Sequence, residues 1–258
     1  MKKSLDGRVA IVTGAGSGLG RAHALALAQQ GARVVVNDVA GNHAGSPGHA
    51  VVEEIRRCGG DAIADGGDVT DAARMEAMAA RAIDRWGRID ILVNNAGTAW
   101  GAPAEDYPLD GWNKVIDLNV TGLFLLTQAV ARDAFLKQGK GAVVNVASIE
   151  GLQGHHPDRL GTIAYNTAKG AVINMTRALA AEWGPRNIRV NALAPGFFPS
   201  KLAAAALAEH GEEILRQTPL GKLGGDTDLM GAALLLASDA GGHITGQTLV
   251  IDGGATII

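Results

Sequence analysis

Val9-Ala10-Ile11-Val12-Thr13-Gly14-Ala15-Gly16-Ser17-Gly18-Leu19-Gly20 decides the reading of this chain. It runs from a short apolar stretch through four glycines into the Leu/Ala periodicity of a helix over Leu19–Gln30. A strand, a glycine turn and a helix N-terminus make a phosphate site. Backbone without side chains lets a pyrophosphate reach the unpaired N–H groups and the positive end of the helix dipole. The common fingerprint G-x-G-x-x-G would need glycine where Leu19 stands, and the spacing is instead Gly14-x-x-x-Gly18-x-Gly20.

The same alternation continues outward. Short β-branched runs at Arg33–Val36, Asp61–Ala64, Ile89–Val93, Ala142–Val146, Arg189–Ala192 and Gln247–Ile251 follow Val9–Val12 as strands. Helical periodicity lies between them at Asp71–Trp86, Trp112–Lys137, Ala164–Trp183 and Asp226–Ser238. Asp71 reads as a helix cap, and Gly31 and Gly87 as helix stops. Strands apolar at every position are buried on both faces. The fold class is therefore α/β: a doubly wound, Rossmann-type, seven-stranded parallel sheet with helices on both faces. No linker, repeat or charge block divides the chain, so residues 1–258 read as one domain. Irregular loops at 151–161 and 197–220 follow strand C-termini, where ligands sit in such sheets.

The 258 residues carry a formal charge of −3, 36 glycines, one cysteine and 47% hydrophobic residues. A near-neutral, slightly acidic chain gives no electrostatic basis for binding nucleic acid or an anionic membrane. Cys58 alone cannot close an intrachain disulfide, and no apolar run reaches the roughly 18 residues of a membrane span, so the expected location is cytoplasmic. His155 and His156 lack a third spaced ligand, so no metal site is expected.

Further motifs follow in order: Asn94-Asn95-Ala96-Gly97, Asn119, Ser148, Tyr165-x-x-x-Lys169, Pro195-Gly196 and Asp252-Gly253-Gly254. With the turn Thr13-Gly14-x-x-x-Gly18-x-Gly20, they make the chain resemble the short-chain dehydrogenase/reductase family over nearly its whole length. The resemblance implies hydride transfer between a nicotinamide cofactor and a secondary alcohol or ketone, with Asn119, Ser148, Tyr165 and Lys169 as catalytic residues. Tyr165 and Lys169, four apart, share one helix face. Lys169 and the oxidised nicotinamide are expected to pull the phenol down from its usual value near 10. Ser148 would polarise the substrate oxygen. Asn119 would hold a helix distortion and a water leading from Lys169 to solvent.

The resemblance likewise assigns cofactor contacts to Gly14, Ser17, Gly18, Leu19 and Gly20 at the phosphates, Asp38 and Val39 at the adenosine ribose, and Asp68 and Val69 at the adenine. Asn95, Ala96 and Gly97 form a wall beside that ribose, Tyr165 and Lys169 lie at the reacting end, and Pro195, Gly196, Phe198 and Ser200 lie near the nicotinamide. The Asp38 carboxylate accepts from ribose hydroxyls and repels a 2′-phosphate. Ser17 and Val39 stand where NADP-preferring members carry a basic residue, so NAD is the expected cofactor.

Ser148 and Tyr165 are 17 apart, a few residues more than the family's usual spacing. The added length falls in 154–161 and makes His155, His156, Asp158 and Arg159 candidates for the pocket wall, with a solvated loop as the alternative. Trp100, Leu152, Phe197, Phe198 and Leu202 are expected to roof an apolar pocket for a 3-hydroxyacyl, cyclic, aryl or steroid-like substrate. The family also implies a homotetramer, through the helices at Trp112–Lys137 and Ala164–Trp183 and the apolar C-terminus. Two alternatives stay open: an NADP-dependent 3-oxoacyl reductase, and a catalytically silent nucleotide-binding or scaffolding protein.

Overall fold

The computed structural model describes residues 3–154 and 161–258. Strands β1 (Val9–Thr13), β2 (Arg33–Asn37), β3 (Ala62–Asp65), β4 (Ile91–Asn94), β5 (Gly141–Val146), β6 (Ile188–Pro195) and β7 (Thr248–Ile251) form one parallel sheet in the order β3-β2-β1-β4-β5-β6-β7. The order reverses between β1 and β4, so a crevice opens there beyond the strand C-termini.

Strand pleating sorts the apolar residues into two cores. Ala10, Val12, Val34, Val36, Val93 and Val144 pack on one face with Leu27, Val51, Ile55, Ala233 and Leu236. Their neighbours Ile11, Val35, Leu92 and Val143 pack on the other with Met75, Met78, Leu126, Val130 and Leu179. The expectation of a sheet covered on both sides holds for β1, β4 and β5, which are buried throughout. Strand β7 is an edge strand only partly buried.

Helices α1 (Gly18–Gln29) and α3 (Ala72–Trp86) lie where the periodicity puts them. Asp71 caps α3 by accepting from Arg74 N at 3.2 Å, and Gly87 ends it with φ of 77°. Two helices escape the sequence reading. Helix α2 (Pro47–Arg57) is short but amphipathic, with Val51, Val52 and Ile55 buried. Its signals are Ser46, which accepts from His49 N, followed by Pro47 at the first helical position.

The expected helix Trp112–Lys137 is longer and not continuous. It comprises α4 (Leu109–Ile116), a π turn over Asp117–Gly122, α5 (Leu123–Val130), a second π turn over Ala131–Phe135 and α6 (Leu136–Gln138). By length and composition this 30-residue run could cross a membrane, but half of its most apolar window is buried inside the protein, as in a core helix. Then follow α7 (Ile163–Trp183), α8 (Ala204–Arg216) and α9 (Met230–Ala237). Helix α8 occupies much of the stretch 197–220 expected to be irregular, and its single buried residue, Ile214, left only a faint apolar pattern to read.

Candidate active site

The crevice is walled by backbone where β1 ends. A Cβ on Gly20 would overlap the Gly14 carbonyl oxygen, and one on Gly14 would come within 3.0 Å of Ala96 Cα. Gly14 and Gly18 have φ of 59° and 52°, in the left-handed region. Ser17, at the N-cap of α1, makes no side-chain capping bond, and the first turn of α1 holds no acidic residue. Helices α2 and α3, by contrast, are capped by Ser46 and Asp71. The first N–H groups of α1 thus face the crevice without a capping side chain, as a pyrophosphate requires.

Thr13, absent from the expected site residues, ties the turn to its neighbour. Its hydroxyl accepts from Asn95 N and Ala96 N, both at 3.0 Å, while Asn95 Nδ2 donates back to Thr13 O at 2.9 Å. Asp38 is oriented by two backbone donors, Gly16 N to Oδ2 and Ala40 N to Oδ1, both at 3.0 Å. A Cβ on Gly16 would lie 2.8 Å from Pro47 Cβ, so Gly16, Asp38 and the start of α2 converge. Val39 is 69% exposed beside them.

One step further along the strand ends, Asp68 Oδ1 accepts from Thr70 N and Thr70 Oγ1. Val69 is buried against Gly122. Asn37 Nδ2 bridges Asp65 Oδ1 at 3.0 Å and Gly67 O at 2.8 Å, fixing the loop that carries Asp68 and Val69.

The structure brings Asn119, Ser148, Tyr165 and Lys169 together. Asn119 sits in the first π turn and donates from Nδ2 to Val115 O and Thr98 O, both at 2.8 Å. Its Oδ1 is buried without a partner among the described residues, and a Cβ on Gly97 would stand 2.7 Å from it and 3.6 Å from Lys169 Nζ. Lys169 is 4% exposed and donates to Val146 O at 2.8 Å. Ser148, 8% exposed, accepts from Glu150 N at 3.2 Å and hydrogen-bonds Tyr165. Gly151 matters here too: a Cβ would lie 2.5 Å from the Lys169 carbonyl carbon, so only glycine lets the Ser148 turn lie against α7.

The chain's own groups supply one part of the Tyr165 balance, the expected downward pull counting the charge of the oxidised nicotinamide as well. Burial pushes the Tyr165 phenol up to about 12, outweighing the Ser148 hydrogen bond that favours phenolate, and Glu150 adds in the same upward direction. Burial likewise draws the Lys169 ammonium down to about 8. Lys169 Nζ lies 5.5 Å from the Tyr165 ring centroid. Burial thus favours the protonated phenol of Tyr165.

The expected pocket roof is revised. Phe198 is 5% exposed and packs in the core, where a Cβ on Gly224 would collide with its ring. It anchors the segment after β6 instead of facing substrate. Trp100, Leu152 and Leu202 remain 40%, 44% and 48% exposed. Trp100 leans on Gly111, with Lys114 Nζ 5.8 Å from its ring. Pro195-Gly196 packs on the last motif: a Cβ on Gly196 would meet Asp252 Cα at 2.8 Å. Asp252 in turn accepts from Gly254 N and Thr256 N. Ser200 Oγ accepts from Ala203 N at 3.2 Å. His155, His156, Asp158 and Arg159 lie outside the described residues.

Known proteins are similar to this chain over nearly its whole length. A family model described as enoyl-(acyl carrier protein) reductase matches residues 14–256. A 3-oxoacyl-[acyl-carrier-protein] reductase from Synechocystis sp. is 40% identical over 252 residues, which cover 97% of this chain and 98% of the relative. The crystal structure of a gluconate 5-dehydrogenase from Burkholderia cenocepacia, in complex with NADP and tartrate, superposes with a TM-score of 0.91 at 35% identity. The match covers 100% of this chain and 98% of that one. A 7α-hydroxysteroid dehydrogenase complexed with NADH and 7-oxo glycochenodeoxycholic acid gives 0.90 at 35% identity, covering 98% and 96%.

Proposed function

Since the chain belongs to the short-chain dehydrogenase/reductase family, whose members bind NAD(P) and act on alcohols and ketones, we propose that it uses NAD to interconvert a secondary alcohol and a ketone on a fairly apolar substrate. The observation that carries the chemistry is the hydrogen-bonded Ser148–Tyr165 pair beside buried Lys169. When bound, the nicotinamide supplies or accepts the hydride. Tyr165 gives its hydroxyl proton to the substrate oxygen in reduction and takes one back in oxidation. Ser148, which accepts from Glu150 N and hydrogen-bonds the Tyr165 oxygen, would turn its own proton to the substrate oxygen when that oxygen arrives between them. Lys169 holds the nicotinamide ribose, and Asn119 Oδ1 has the position and free lone pair to hold a water beside it.

Asp38 supports the choice of NAD. Its two backbone donors fix a carboxylate beside Gly16, and a 2′-phosphate there would meet negative charge. Half-exposed Trp100, Leu152 and Leu202 support an apolar substrate. Turnover of a panel of secondary alcohols and ketones with NAD(H) and NADP(H) is the test. Tenfold tighter binding of NADPH than NADH would replace this reading with the NADP-dependent 3-oxoacyl reductase. Equal turnover by wild type and Tyr165→Phe would remove the catalytic assignment.

Exposed Leu109, Phe124 and Leu136 on the α4–α6 run, and Leu249, Val250, Ile257 and Ile258 near the C-terminus, fit the two faces of a homotetramer. A light-scattering mass near the monomer's 26.4 kDa would refute that assembly.

A further inference from the structure

We propose that the N-terminal edge of the sheet carries an anion site for a phosphate-sized oxyanion, seated among Arg8, Lys140 and Arg189 and distinct from the cofactor crevice. A cavity of about 120 Å³ lies where β1, β5 and β6 begin, lined by these three residues with Asn187 and Asp239. The crevice lies at the opposite ends of the same strands. From Gly141 to Val146 the separation is roughly 15–20 Å at about 3.3 Å per residue.

The local charge is out of balance. Among the described residues lining the cavity, Asp239 is the one carboxylate facing the three cations: Arg8 Nη2 lies 2.8 Å and Lys140 Nζ 3.0 Å from it. Arg8 also lies 3.8 Å from Asp90, but that carboxylate is already held by Arg88 and by Val9 N. Counting Arg88 and Asp90, four cations face two carboxylates in a chain whose formal charge is −3.

Arg189 is the least compensated of the four. Its guanidinium is partly buried, yet among the described residues it donates to neutral acceptors, Leu236 O at 2.7 Å and Ser238 O at 3.0 Å. Burial depresses its pKa despite the nearby Asp239. Five N–H donors belong to a guanidinium, and those carbonyls leave several unspent. Placing a cation out of water without a counter-charge is costly, and an incoming oxyanion relieves that cost.

About 120 Å³ leaves room for a tetrahedral oxyanion, since about 10–15 Å³ on a comparable measure already holds one water. Asp239 is 68% exposed on its side chain, and such exposed pairs are weak. It serves as a displaceable stand-in across the mouth: an anion that enters takes over its partners and lets it turn to solvent.

The test is a calorimetric titration of the NAD-saturated protein with inorganic phosphate at constant ionic strength, so that the glycine turn is already filled. Saturable binding is expected. It should weaken about tenfold in Lys140→Gln and tighten by a similar factor in Asp239→Asn, with unchanged turnover in both. Glycerol phosphate forms the second arm. Binding at least as tight as inorganic phosphate assigns the site to a phosphoryl group carried on a small metabolite, and weaker binding assigns it to the free ion. Absence of saturable binding by either probe, or wild-type affinity in Lys140→Gln, overturns the site while leaving the proposed dehydrogenase activity untouched.

Discussion

At the end of β1 the site is made by leaving side chains out, whereas between β4, β5 and α7 it is made by burying polar ones. Gly14, Gly16 and Gly20 bring backbone to within a Cβ's reach of Ala96, Pro47 and Gly14 O. Asn119, Ser148 and Lys169 are each under a tenth exposed and are held by hydrogen bonds to Val115 O, Glu150 N and Val146 O. The first kind of site fails by steric overlap, which the fold itself feels. The second fails by losing a proton or a charge while the fold survives. Substitutions on the two sides should therefore separate stability from chemistry.

The largest effect is expected on the catalytic side. On the proposed mechanism Tyr165→Phe removes the group that exchanges a proton with the substrate oxygen, and kcat should fall by about 10²–10⁴. The melting temperature should stay near wild type, because the hydroxyl's loss also removes a buried polar group. Single-turnover kinetics beside a thermal melt checks both. A melt lowered in step with activity would mean that the cluster is structural, and the contrast with the glycine turn would collapse.

His23 sharpens the comparison, because it is a buried polar group in the helix that opens the glycine turn. It is fully buried, neither ring nitrogen has a partner among the described residues, and burial lowers its pKa to about 4. The unfolded chain, near 6.5, takes up the proton first as pH falls. The neutral ring's contribution is thus complete above about pH 6.5 and is lost between there and about pH 4, amounting to about 3 kcal/mol. Urea midpoints should drop steeply over that range, and His23→Leu should flatten the drop. An equally steep fall in the variant would assign the acid sensitivity to other groups.

On the glycine side, two neighbouring positions should part company. Gly20→Ala forces a Cβ into Gly14 O and the Asn95 amide, and such overpacking costs about 1–3 kcal/mol. Gly18→Ala meets nothing within 4 Å, and its φ of 52° is the only obstacle, at roughly 1–2 kcal/mol. The prediction is that Gly20→Ala lowers the melting temperature and weakens NAD binding together, while Gly18→Ala does chiefly the former. Calorimetric NAD titrations of both variants decide it.

This division also explains what the sequence showed. Glycines at fixed spacing after an apolar run and helical periodicity are local patterns, so the sheet, α1 and α3 could be read directly, whereas Asn119, Ser148, Tyr165 and Lys169 were assigned by the order of motifs along the whole chain. Gly151, Gly224 and Thr13 act across the chain, against Lys169, Phe198 and Asn95, and no local spacing betrays such contacts. Helix α2 was missed because its apolar side rests on three residues, and Phe198 was misplaced because an aromatic after a strand end reads equally well as lid or as core. The direction of the Tyr165 shift depends on burial and on the nearby Ser148 and Glu150, which only the folded geometry supplies.

Asp38 joins the two modes, a side chain whose function depends on a glycine. Its Oδ2 is held by Gly16 N, and a Cβ at Gly16 would occupy the place of the carboxylate. Asp38→Ser removes the charge that disfavours a 2′-phosphate while keeping an acceptor for the ribose. The ratio of NADH to NADPH affinity should fall about tenfold, or about 1.4 kcal/mol, mostly by gain for NADPH. The effect is the smallest of those argued, because the carboxylate is partly solvated and water screens its repulsion. Raising the salt concentration should therefore shrink the wild-type preference but not that of Asp38→Ser. A wild-type preference indifferent to salt would mean that shape, set by Gly16 and Pro47, selects the cofactor in place of charge.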